Sequence, residues 1–204
     1  MILFMIIRFF PIFVVTLTAV STFGQGVLVL DQYSWLDETP FPGSGTFITA
    51  NANPWGQSFT PTLSAVDYVR FKFADGDRLQ TGGATVHVNI LSDSISGRLL
   101  ASTEPVFMAD GFAGVATFLF PASVPVVPGT VYYFTVAVHP GSDLWAIDSA
   151  GYNYPGGSGF WAGVAGAGDL WFQEGIVVPE PTVLWIALIG AGALAWKSRL
   201  NRKQ

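Results

Sequence analysis

The sequence predicts an all-β protein, an antiparallel β-sandwich of jelly-roll type, and three observations predict it. Between residues 27 and 175, short apolar or alternating runs recur between turn clusters at a spacing of roughly 8–15 residues, the rhythm of sandwich strands. None of these runs has a helical period, and 23 glycines with 13 prolines in 204 residues disfavour a mostly helical chain. No internal repeat of roughly 20–50 residues is visible, which sets aside a solenoid or a propeller. Aromatic residues make up 15% of the chain, ample for a large core. The absence of cysteine excludes disulfide scaffolds, thiolate metal sites and cysteine nucleophiles.

The elements follow in order. Residues 27–33 form the first candidate strand. In residues 69–73, Val69, Phe71 and Phe73 alternate with Arg70 and Lys72, which predicts a half-buried strand with the apolar set inward. Asp75-Gly76-Asp77 then makes a turn. Residues 84–91 alternate again, with Val86, Val88 and Ile90 on one face and Thr85, His87 and Asn89 on the other. Residues 99–103, 115–120 and 130–138 are further β-rich runs, the last two separated by Pro125-Val126-Val127-Pro128-Gly129. Residues 130–138 are apolar on both faces, as a central strand requires, and residues 169–174 close the domain.

Both ends of the chain read as targeting segments. Residues 1–24 have the layout of a cleavable secretory signal: Arg8, an apolar run over 9–20, then Ser21, Thr22, Phe23 and Gly24. Cleavage before Gln25 would put Thr22 and Gly24 at the −3 and −1 positions. A buried strand or a permanent anchor helix is the alternative. At the other end, Pro179-Glu180-Pro181 cannot continue a helix and separates the domain from an apolar run over 183–196. Lys197, Arg199, Arg202 and Lys203 follow at once, so the positive-inside rule predicts a transmembrane helix with a cytoplasmic C-terminus and an exported N-terminal domain. Residues 183–196 would span about 21 Å as a helix, short of a ~30 Å hydrocarbon core, and snorkelling Lys197 and Arg199 can make up several ångströms. The chain thus divides into a signal (1–24), an exported domain (25–177) and a C-terminal signal (178–204).

The C-terminal arrangement resembles the PEP-CTERM sorting signal of bacterial surface proteins, which joins a Pro-Glu-Pro motif, a hydrophobic helix and a short basic tail. The resemblance implies that Pro179, Glu180, Pro181, Lys197, Arg199, Arg202 and Lys203 form a sorting signal. It also implies processing by an exosortase in a Gram-negative bacterium that makes exopolysaccharide. A plain membrane anchor is the alternative. The middle of the chain resembles exported β-sandwich modules found beside such anchors, themselves similar to galactose-binding-like, carbohydrate-binding jelly rolls. The matching pieces are Gly56-Gln57-Ser58-Phe59-Thr60, the strand over 66–73, Pro128-Gly129-Thr130-Val131-Tyr132-Tyr133, Tyr154-Pro155-Gly156-Gly157-Ser158-Gly159 and Asp169-Leu170-Trp171-Phe172. This second resemblance implies a fold rather than an activity.

Charge narrows the partners. The exported domain carries four basic and thirteen acidic residues, a net charge of −9, which opposes nucleic acid and anionic membrane surfaces but leaves neutral glycans and divalent cations. Catalysis is weakly indicated. His87 and His139 are the only imidazoles, and neither lies in a nucleophile elbow or a zinc-binding helix motif. A glycosidase needs two facing carboxylates, for which Asp143, Asp148 and Asp169 are the candidates. No cofactor is expected beyond one structural calcium on Asp75 and Asp77, hard oxygen ligands that are equally good turn formers. Trp35, Trp55 and Phe160 add rings in stretches largely rich in Gly, Pro, Asn and Ser. The sharper candidate is a glycan-binding set of Trp145, Asp148, Tyr152, Asn153, Tyr154 and Trp161, whose rings would stack on sugar C–H faces while the polar groups bind hydroxyls. Against it stands plain packing at the ends of the sandwich, the commoner use of large aromatics.

Two functional classes remain. One is a non-enzymatic surface or matrix protein, sorted to the envelope and associated with exopolysaccharide. The other is an envelope hydrolase acting on glycans, with a protein-binding adhesin on a plain anchor as a narrower third.

Overall fold

The computed structural model describes residues 26–39, 45–48, 54–76, 82–140, 145–149 and 151–179. The expected secretory signal, Asp77, Asp143 and the expected sorting residues from Glu180 onward lie outside the described residues. The described chain is all-β, with no helix, and belongs to one compact unit, Gly26–Pro181. Its strands are β1 (Val27–Tyr33), β2 (Gly45–Ile48), β3 (Trp55–Phe59), β4 (Ala65–Asp75), β5 (Ala84–Ser92), β6 (Arg98–Ser102) and β7 (Val106–Met108), followed by β8 (Ala113–Pro125), β9 (Tyr132–Val138), β10 (Trp145–Asp148), β11 (Gly159–Trp161), β12 (Val164–Ala165) and β13 (Phe172–Val178).

The strands form two antiparallel sheets in a sandwich-like arrangement. The first has the order β1-β13-β4-β10-β2, with β8 also paired to β4. The second has the order β12-β11-β3-β9-β5-β6, with β7 also paired to β5. Alternation decides which side chains meet between the sheets. In β4, Val69, Phe71 and Phe73 are fully buried, and in β5, Val86, Val88 and Ile90 are too. The Phe71 ring meets Phe134 of β9 edge-on, centroids 6.3 Å apart, and Phe134 stacks on Phe59 of β3 at 4.2 Å. One apolar core therefore joins both sheets. β9 lies between β3 and β5, the central position its apolar composition predicts.

The structure departs from the sequence reading at several elements, among them Trp55 and Phe160, which lie in β3 and β11 rather than in loops. β8 does not stop at Phe120 but runs to Pro125, because a register shift opposite Val66 and Tyr68 lets it pair along all of β4. The closing strand is Phe172–Val178, so Asp169, Leu170 and Trp171 lead into it as buried residues. Trp145–Asp148 is a strand, β10, with every residue buried, where the sequence reads as an aromatic loop.

Candidate functional site

The outward face of the first sheet is covered. Arg70 and Lys72 of β4 point away from the core, and the segment after β1, residues 34–39, lies over them. Ser34 exchanges two hydrogen bonds with Phe172, its N–H donating to the carbonyl and its Oγ accepting from the amide, both at 3.0 Å. Arg70 donates to the Glu38 carboxylate at 2.5 and 2.9 Å, and that bond holds the Glu38 carboxyl below its ordinary range. Lys72 Nζ donates to the Asp37 carbonyl at 2.8 Å, lies 5.1 Å from the Trp171 ring centroid and stands 3.7 Å from Asp148 Oδ2. The lysine that the alternation places on a half-solvated face is thus 3% exposed. Its ammonium is satisfied by a carbonyl, a carboxylate and an aromatic face together.

Asp148 closes this cluster toward the surface. It is buried, and its Oδ2 accepts the Tyr152 hydroxyl at 2.8 Å. Burial, then the bond to Asp148, push the Tyr152 phenol well above its ordinary pKa. The Tyr152 ring tilts against Trp35 with centroids 6.3 Å apart, and Trp35 is 54% exposed. Asn153 is exposed beside them.

Next to Tyr152 an open cleft of about 360 Å³ is lined by Ser149, Gly151, Trp161 and residues 164–168. Its wall is the β11–β12 hairpin, whose two-residue turn Ala162-Gly163 has φ of 53° and 82°. Both are left-handed, as a tight hairpin requires. The half-buried Trp161 ring lies against Gly166, where a Cβ would come within 2.2 Å of it, so only glycine admits the ring there.

Beneath the cleft a second polar cluster joins the sheets. Asp169 accepts Gln57 Nε2 at 2.6 Å on one oxygen and the Tyr154 amide at 2.7 Å on the other. Gln57 returns its carbonyl oxygen to the Leu170 amide at 2.8 Å. The buried Tyr154 hydroxyl donates to Gln32 at 2.9 Å and accepts the Thr60 amide at 3.1 Å.

The structure therefore divides the expected glycan-binding set. Tyr152, Asn153 and Trp161 reach the surface around one region. Trp145 and Tyr154 are corrected: both rings are core residues, Trp145 with no exposed surface and Tyr154 at 6%, and neither offers a face to a sugar. Asp148 is near the region but buried, its oxygen held by Tyr152 and Lys72. Asp148 and Asp169 are both buried and accept hydrogen bonds from protein donors. Trp35 belongs with the surface rings. Its partner Tyr152 lies far along the chain, so the pairing has no local signal in the sequence.

Of the calcium pair, Asp75 accepts the Gly111 amide at 2.9 Å, bridging to the turn before β8. Among the described residues no group of three or more His, Asp or Glu side chains gathers around one point. His87 on the outward face of β5 lies against His139, with Nδ1 and Nε2 3.0 Å apart and rings perpendicular. Burial, and then the neighbouring imidazole, lower the His87 pKa. No protein-family model matches the chain, and a search of curated proteins finds no match.

Proposed function

We propose that the chain is an exported, non-enzymatic surface or extracellular-matrix protein of a Gram-negative bacterium. Its C-terminal signal addresses it to an exosortase, it is first anchored in the inner membrane with a cytoplasmic C-terminus, and it associates with exopolysaccharide. The observation that carries the glycan reading is the pairing of the exposed Trp35 ring with Tyr152 beside the Trp161 cleft. Flat rings in an open, neutral depression suit the C–H faces of a sugar chain. The non-enzymatic reading is supported by how the acids are used: Asp148 and Asp169 are buried and bonded to protein donors.

The jelly-roll reading is supported by strand order. The strands β1-β13-β4-β8 lie side by side in one sheet and β3-β9-β5-β6 in the other, and β3, β4, β5, β8, β9 and β13 alternate between sheets along the chain except where β5 passes to its own neighbours. The remaining short strands extend this frame.

The test is binding of the producing organism's exopolysaccharide, followed by end-group assay. Binding without release of reducing ends, weakened roughly 5-fold by Trp35→Ala or Trp161→Ala, is the expected result, since loss of a stacking ring removes about 1 kcal/mol. Release of reducing ends abolished by a single carboxylate substitution would transfer the protein to the hydrolases.

A further inference from the structure

The pole of the domain from which both chain ends leave carries an unusual ribbon. β1 pairs with β13 as Val27↔Val178, Leu28↔Val177 and Val29↔Ile176, whereas β13 pairs with β4 only over Phe172 to Gly175. The six residues beyond that ladder therefore form a two-stranded ribbon of aliphatic side chains with no charge. At its middle rung the Val177 amide donates to the Asp67 carboxylate of β4 at 2.8 Å, which ties the ribbon to the sheet. Val27, Leu28, Val29 and Val178 are all exposed, from 38% to 57%. A solvated edge strand ordinarily carries charge or alternates polar with apolar, and this one does neither. The β8–β9 loop adds Val127 and Val131, 62% and 44% exposed, at the same pole, where the Gly129 amide bonds Pro61 and the Val126 amide bonds Ser64. An exposed apolar cluster of this kind marks a contact surface.

Chain length identifies what it contacts. Only four residues separate Val178 from Val183, the first of the apolar run, and the five steps between them reach at most ~18 Å when extended. The interfacial layer on each side of a bilayer is about 5–7 Å thick. A run that enters the bilayer at Val183 thus leaves the ribbon within reach of the lipid surface. We propose that this ribbon, with Val127 and Val131 beside it, seats on the bilayer next to the anchor and holds the domain against the membrane before processing. The proposal rests on the anchor reading of residues 183–196 and adds a second, strand-borne contact to it. It also gives the acidic domain an uncharged face that a zwitterionic membrane accepts.

The chain has no cysteine, so single labels can be placed cleanly. The full-length variants Leu28→Cys, Ala109→Cys and Gly190→Cys would each carry an environment-sensitive fluorophore and be reconstituted in phosphatidylcholine vesicles containing doxyl-labelled phosphatidylcholine. Ala109 is exposed in the turn at the opposite pole, beside Gly111. The expected result is blue-shifted emission and several-fold stronger quenching at 28 and 190 than at 109. Quenching at 190 with position 28 no different from 109 would overturn the ribbon contact and leave the anchor standing. Quenching at neither 28 nor 190 would overturn both. Quenching at 28 but not at 190 would keep the lipid contact and overturn the anchor. Self-quenching between labels at 28 without lipid quenching would assign the ribbon to a second copy of the chain and contradict the proposal.

Discussion

Asp169 and Glu174 lie close together in sequence, both inside the domain, and they are treated in opposite ways. Asp169 meets a donor on each oxygen and ties β3, the loop at Tyr154 and the approach to β13 into one unit. Glu174 is fully buried, and against that burial only the Gln32 amide of the adjacent strand favours its charged form. Burial, and then the charge of Asp31 on the adjacent strand, push its carboxyl up to about 9. Asp31 is buried less deeply, and the bonds it accepts from Thr62, Leu63 and Gln32 outweigh that burial and hold it below its ordinary range. A buried acid with a donor on each oxygen is thus a rivet, and one whose donors do not offset its burial stays protonated and neutral near pH 7.

The largest break in this comparison is Asp169→Ala. It leaves Gln57 Nε2 and the Tyr154 amide without acceptors, and chemical denaturation should show a loss of about 3 kcal/mol. A variant within experimental error of wild type would mean that Asp169 is no rivet. Glu174→Gln should act in the other direction. The folded carboxyl titrates near 9 and the unfolded one near 4.5, so the folded state holds the extra proton between those values. Wild-type stability should therefore fall as pH rises from about 4.5 toward 9, and the variant should lack that slope and gain about 1 kcal/mol or more at pH 8. Parallel pH profiles for the two proteins would contradict the assignment. The smallest effect concerns His87, whose folded pKa is lowered. The unfolded chain binds the proton more readily, so stability should be full above about 6.5 and decline as pH falls below it. In His87→Gln that acid-side loss should shrink by no more than about 1 kcal/mol, because the pair is partly exposed and solvent screens it. Thermal melts at pH 5 and pH 7.5 measure it, and an unchanged acid-side loss in the variant would remove His87 from the account.

The same contrast explains what could be read from the sequence. β4 and β5 were legible because one face is core and the other is not, and period-two alternation reports that directly. β10 was not, because all four of its residues are buried and Trp-Ala-Ile-Asp carries no alternation. Lys72 sits at an outward position of β4, and nothing local says that residues 34–39 will fold over it. The candidate site was legible in its ring types around Tyr152 and Trp161. Burial then removed Trp145 and Tyr154, a decision made by strands distant in sequence. Glu174 carries no local sign of burial, which follows from the pairing of its strand with both β1 and β4.

A third acid, Glu180, differs from both: in this account it serves an address and not the fold. Glu180→Ala should change the folding stability of the domain by no more than ~0.5 kcal/mol, the scale of substitutions outside a packed core. Neutralising Lys197, Arg199, Arg202 and Lys203 should separately weaken membrane orientation, a change to which a plain anchor also responds. The most direct test is the size and location of the chain in cells with and without an exosortase, for wild type and Glu180→Ala. The sorting account predicts C-terminal processing and surface delivery only for wild type in cells holding the enzyme. Identical processing of both proteins, unaffected by loss of the exosortase, would contradict it and leave a simple anchor.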